Sequence, residues 1–197
     1  MVYDEEVTAE MECRHSSWLK LLNESAERLE TCLLEQPVPQ NMPAYAYMHG
    51  LTRFHKSMLA LRLLAVAGFE EEAYGAWRRM VEHAVMLKYI ARGAGERVLL
   101  FVDETGFIRP TPAGSSCGAV PDMGKMAEEA GMREWYEAAP PNGSEGDSSF
   151  TPTAGDSEDW FPPIGPAPFD ASDLLSKGYR LAAVMLEDAT FSVPSRK

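Results

Sequence analysis

The sequence predicts an all-α fold: a helical bundle of five to six helices around a central antiparallel helix hairpin, with a long acidic Pro/Gly-rich loop. Two observations carry this. Apolar residues recur at intervals of three and four along several separate stretches, the period of one helix face. No convincing β-hairpin pattern accompanies them. At 197 residues, with 45% hydrophobic and 24% charged residues, the chain fits one helical domain, 1–197.

The first helix is expected over about residues 4 to 36. Val7, Met11, Trp18, Leu21, Leu22, Leu29, Cys32 and Leu33 form one stripe. The run from Gln36 to Pro43 stops it, because three prolines within seven residues cannot continue a helix. The second helix follows over about 44 to 67. Tyr47, Leu51, Phe54, Met58, Leu61 and Ala65 step by four and three, and Leu59, Leu63 and Leu64 widen the stripe, so this helix is expected to be central. Gly68 ends it as a C-terminal cap. The third helix starts almost at once, with Glu70, Glu71 and Glu72 complementing the helix dipole in its first turn. So short a link implies an antiparallel hairpin. Gly93 and Gly95 are expected to close this helix.

Residues 96 to 104 read as a further short helix or as a strand; helix is favoured because no second strand is visible to pair with it. Another helix is expected over about 121 to 138. Residues 139–172 hold seven prolines, four glycines, six acidic residues and no Lys or Arg, so they read as an irregular excursion. Phe150, Trp160, Phe161, Ile164 and Phe169 are its candidate anchors onto the bundle. A final helix runs from about 172 to 189.

Thirty acidic residues against 18 basic ones give a net charge of -12. This argues against a nucleic-acid partner and an anionic membrane surface. No apolar run is long enough to span a membrane, and the N-terminus lacks a secretory pattern. Cys13, Cys32 and Cys117 are odd in number and have no C-x-x-C spacing, which fits a reducing cytoplasm.

The stretch His49–Ile90 reads HGLTRFHKSMLALRLLAVAGFEEEAYGAWRRMVEHAVMLKYI. It resembles the helix pair of a bacterial all-helical family of unknown function. In that family a Leu-rich run and glycine precede acidic residues, an Arg-x-x-x-Glu motif and a tyrosine, here Arg78, Glu82 and Tyr89. The resemblance extends to residues 127–139 and the last helix. It implies a helical bundle that dimerises, in a bacterial or phage stress or defence context, with no established reaction. The function expected on that basis is a non-catalytic interaction module with no cofactor, its partner a second copy or another protein.

Arg78 and His83 also give the spacing Arg-x-x-x-x-His, similar to the short motif of HEPN ribonucleases, which are all-helical, metal-independent and dimeric. That resemblance implies a catalytic set of Arg78, Glu82 and His83. The Arg would stabilise phosphate charge, the His would handle the proton of an attacking 2′-hydroxyl, and the Glu would orient them. Five residues are about 500° of helix rotation, so Arg78 and His83 point roughly 140° apart; Arg79 is the better same-face neighbour of His83. Arg78 and Glu82, four apart, read equally as an ion pair that fixes helix register.

A third reading is a small-molecule or metal site inside the bundle, near His49, Arg53 and Glu82. Glu12 and His15 have the i, i+3 spacing of di-iron carboxylate bundles, but the second such pair that this design requires is missing. No phosphate-loop or dinucleotide-binding glycine pattern occurs. Ser115, Ser116 and Cys117 lie in a loop with no histidine nearby in sequence.

Overall fold

A computed structural model describes residues 4–101, 122–139 and 166–191. Six α-helices account for most of them: α1 (Glu5–Glu35), α2 (Met42–Val66), α3 (Glu70–Val98), α4 (Met123–Glu129), α5 (Arg133–Ala138) and α6 (Ser172–Phe191). A 3-10 turn, Leu99–Phe101, extends α3, and no strand occurs among the described residues. The chain is an all-α bundle. No described helix is long and apolar enough to cross a membrane.

Local chemistry sets the helix ends. Asp4 caps α1 by accepting from the amides of Glu6 and Val7; Asn41 and Asp122 do the same for α2 and α4. At the end of α2, Gly68 takes φ +76°. Its amide donates to the Ala65 carbonyl, and that of Phe69 donates to Leu64. This is a Schellman cap, which turns the chain straight into α3.

α2 and α3 pack most extensively on each other. The pairing is antiparallel: Gly50 near the start of α2 lies against Met86 and Leu87 toward the end of α3. α1 and α6 pack together and against α2, while α4 and α5 cover the other flank of α3. Phe54, Met58, Leu61, Trp77, Met80, Leu87 and Leu181 fill the centre. Burying each such aliphatic or phenyl side chain is worth about 1.5–3 kcal/mol.

Four expectations are corrected. Gly93 and Gly95 do not close the third helix, which continues to Val98. Residues 96–101 are therefore its helical extension rather than a separate element, and 102–104 lie outside the described residues. The helix expected over 121–138 is two helices, because Gly131, at φ +67°, forms a second Schellman cap: Met132 donates to Ala127 and Gly131 to Glu128. Finally, Leu59 and Leu63 do not widen the buried stripe of α2. They are 43% and 56% exposed, turned away from the buried Leu51, Met58 and Ala65.

Of the acidic excursion, 140–165 lie outside the described residues. Its described end runs back along the bundle: the Ala167 amide donates to the Gly68 carbonyl, and Phe169 packs against the core. The other four candidate anchors, Phe150, Trp160, Phe161 and Ile164, are outside the described set.

Candidate functional site

α3 carries the candidate residues on two different faces. Arg78 turns toward α5. Its Nε donates to Glu82 Oε1 at 2.9 Å, and one terminal nitrogen donates to the Tyr136 and Ala139 carbonyls at 3.1 and 3.0 Å. The guanidinium lies over the Tyr136 ring, 4.0 Å from its centroid, and Arg78 is only 8% exposed. Those carbonyls belong to the end of α5, where the backbone has acceptors without helical partners and the dipole is negative. Arg78 is thus a cation that caps a short helix and holds it against α3. Trp77, next to it in sequence, meets Trp135 at 6.1 Å between ring centroids.

His83 faces α2 instead. It is buried, and its Nδ1 shares a hydrogen bond with Ser57 Oγ at 3.2 Å. Burial, reinforced by the nearby Arg53 and Arg79 guanidiniums and His49, lowers its pKa to about 4. The ring is therefore neutral near pH 7. Arg78 and His83 are not brought together. The cation beside His83 on its own helix is Arg79, one turn earlier.

Along the same α2–α3 edge, Arg53 Nε donates to His49 Nε2 at 2.8 Å. That nitrogen must accept, so His49 is the neutral tautomer carrying its proton on Nδ1. Partial burial, Arg53 and Lys56 all lower its proton affinity. Glu82 is not part of this group; it pairs with Arg78 on the other face. The proposed triple of His49, Arg53 and Glu82 is thus split, and the structure pairs the first two. Tyr89 stands apart, under the Arg97 guanidinium at 4.0 Å and edge-on to Phe101.

His15 has a role the spacing did not suggest. It sits at a kink in α1 (φ −112°, ψ 17°), is 2% exposed, and accepts from the Ala171 amide at 3.4 Å. It ties α1 to the start of α6. The signal was available: residue 15 falls on the apolar stripe between Met11 and Trp18, where a polar ring needs a buried partner. No group of three or more His, Cys, Asp or Glu side chains among the described residues is placed to hold a metal ion. Ser115, Ser116 and Cys117 lie outside the described residues, as does the G-x-S-x-G spacing that Gly114 and Gly118 give around Ser116.

A shallow pocket of about 270 Å³ opens where α2, α3 and α6 meet, lined by Tyr47, Leu87, Lys88, Arg92, Met185 and Asp188 among others. Lys88 and Asp188 pair with each other at 2.8 Å, and Arg92 donates to the Glu129 carbonyl.

The outward face of α2 is different in kind. Met42, Tyr45, His49, Thr52, Lys56, Leu59 and Leu63 follow one another at intervals of three and four. Met42, Tyr45, Leu59 and Leu63 are 44%, 53%, 43% and 56% exposed. In a chain with 30 acidic residues, the 25 residues of α2 contain none. No family model, curated protein or solved structure matches the chain.

Proposed function

We propose that this chain is a non-catalytic helical interaction module that pairs with a second copy of itself through the outward face of α2. The observation that carries the reading is the exposed seam on that helix. Four large apolar side chains, two at each end of a seam whose middle positions are His49, Thr52 and Lys56, do not face solvent without cost, and such ends bury well against another helix.

The seam is self-complementary, as a two-fold interface requires. With the axis near Thr52 and the helices antiparallel, Tyr45 of one copy opposes Leu59 of the other, and Met42 opposes Leu63. His49 and Lys56 meet in the middle, where His49 is neutral. Charge favours the same face. Two chains of net charge -12 repel, and α2 carries no acidic residue, so pairing through it sets no carboxylate against a carboxylate within the seam. Arg78 supports the non-catalytic side of the reading, because its donors are directed to backbone carbonyls and to Glu82.

The test is mass in solution. Sedimentation equilibrium of the wild type gives twice the 21.8 kDa chain mass. Leu59→Glu/Leu63→Glu, which changes only exposed positions, gives the single-chain mass with an unchanged helical circular dichroism spectrum. A wild type that is monomeric at micromolar concentration, or a double variant that still dimerises, overturns the proposal.

A further inference from the structure

The seam on α2 is apolar at both ends and titratable in the middle. His49 lies between Tyr45, whose ring stacks on the imidazole at 6.3 Å between centroids, and Arg53, whose Nε donates to His49 Nε2 at 2.8 Å. A ring nitrogen that accepts from a guanidinium carries no proton of its own. Protonating it turns an acceptor into a donor. The bond to Arg53 is then lost, and two cations stand one helical turn apart.

Nothing on α2 offsets that charge. The helix contains no acidic residue, and the charges that act on His49 along it are Arg53 and Lys56, both cations. From α3 the titratable neighbour is the buried, neutral ring of His83, with the Arg79 guanidinium beside it. In a single chain a protonated His49 is half-exposed and has water to solvate it. In the antiparallel pair it does not. That register sets His49 against Lys56 of the other copy, and the two-fold axis repeats the contact, so two imidazoliums would face two ammoniums where the apolar ends have displaced water. The pair thus disfavours the charged ring more than the single chain does. By linkage, protonation of the ring must weaken the pair.

Resting on the pairing through α2, we propose that His49 is a pH switch of that interface: the neutral imidazole, held by Arg53, lets two copies meet, and the imidazolium, facing Lys56 of the other copy, drives them apart. The direction is diagnostic. As pH falls, carboxylates take up protons and the net charge of -12 shrinks, which by itself would tighten the pairing of two chains. The switch acts with the opposite sign.

The experiment is sedimentation equilibrium of the wild type and of His49→Gln at pH 7.5 and pH 5.5. The glutamine carbonyl still accepts from Arg53 but does not titrate. The lower pH lies below the ordinary histidine value of 6.5 and above the pKa of about 4 of His83, so the core imidazole stays neutral. The wild-type dimer should dissociate at least fivefold more readily at pH 5.5, with an unchanged helical circular dichroism spectrum. The His49→Gln dimer should hold equally well or better at the lower pH. If His49→Gln does not pair at pH 7.5, Lys56→Gln is read in its place, and its loss between the two pH values should be smaller than that of the wild type. A wild-type dimer that is as tight or tighter at pH 5.5, or a variant that weakens as much as the wild type, overturns the switch and leaves the pairing standing. A wild type that is a single chain at pH 7.5 removes the pairing and the switch together.

Discussion

Replacing Arg78 by alanine should destabilise the bundle by about 3–5 kcal/mol, the cost typical of removing one partner of a buried ion pair. The magnitude follows from its contacts. The Arg78 side chain is 9% exposed and that of Glu82 14%, so little solvent screens either. Alanine deletes the bond to Glu82 and the bonds to the Tyr136 and Ala139 carbonyls, and it removes the cation from the Tyr136 ring. Each hydrogen bond to a charged donor contributes about 1.5–3 kcal/mol, but the three act as one unit and do not add. For a domain of this size, a loss of this kind lowers Tm by roughly 10 °C. Urea unfolding followed by circular dichroism reads it as a lower midpoint at constant m. Arg78→Ala/Glu82→Ala should cost less than the two single changes added together, because the second change removes a carboxylate already stripped of its guanidinium. Arg78→Lys should recover only part of the loss, since an ammonium cannot reproduce the fork. A cost below about 1 kcal/mol for Arg78→Ala, or strict additivity in the cycle, refutes the helix-capping role.

Other outcomes follow from the same contacts. Gly68→Ala should lower Tm, because a Cβ there meets Val7 Cγ1 at 2.7 Å and the Ala167 carbonyl oxygen at 2.8 Å, at a φ of +76°. Differential scanning calorimetry reads that change. Gly50→Ala meets the flexible ends of Met86 and Leu87 at 2.5 and 2.9 Å and should cost about 1–3 kcal/mol by overpacking, read as a lower urea midpoint. His83 makes stability pH-dependent. Its folded pKa of about 4 lies below the ordinary histidine value of 6.5, so the unfolded chain binds its proton more readily. The contribution is complete above pH 6.5 and is lost as pH falls toward 4, by up to about 3 kcal/mol. His83→Gln, compared with wild type in urea titrations across that range, should flatten this part of the profile.

Much of the architecture was legible because it rests on local signals. The three-and-four spacing around Phe54 and Trp77, the cap at Gly68 and the glutamates at 70–72 each dictate structure within a few residues. The same local logic reads Gly131 only in retrospect, because a glycine inside a short helical pattern is tolerated as often as it caps. Gly93 and Gly95 show the opposite outcome: α3 runs through them, with Val98 and Phe101 buried in the core beyond. The pairing of Arg78 with Glu82 was legible in their four-residue spacing, but its burial was not, because the carbonyl partners lie 58 and 61 residues away, beyond any periodicity. The seam on α2 was misjudged for a related reason. Leu59 and Leu63 are as apolar as Leu61, and only the packed positions of α1, α3 and α6 decide which faces of that helix are covered. The Ser57–His83 hydrogen bond likewise required the pairing of two helices, which the sequence shows as a hairpin but not in register.

The pairing through α2 is tested most directly by a disulfide across its proposed axis. With Cys13, Cys32 and Cys117 changed to serine, Thr52→Cys places a thiol at the proposed axis, where the pairing requires two copies to come near the Cα separation of about 4.4–6.8 Å that a disulfide needs. Mild oxidation should convert that variant to a covalent dimer on a non-reducing gel, while Glu24→Cys, exposed on α1, stays a single chain. A Thr52→Cys protein that remains a single chain, or one that crosslinks no faster than Glu24→Cys, contradicts the pairing.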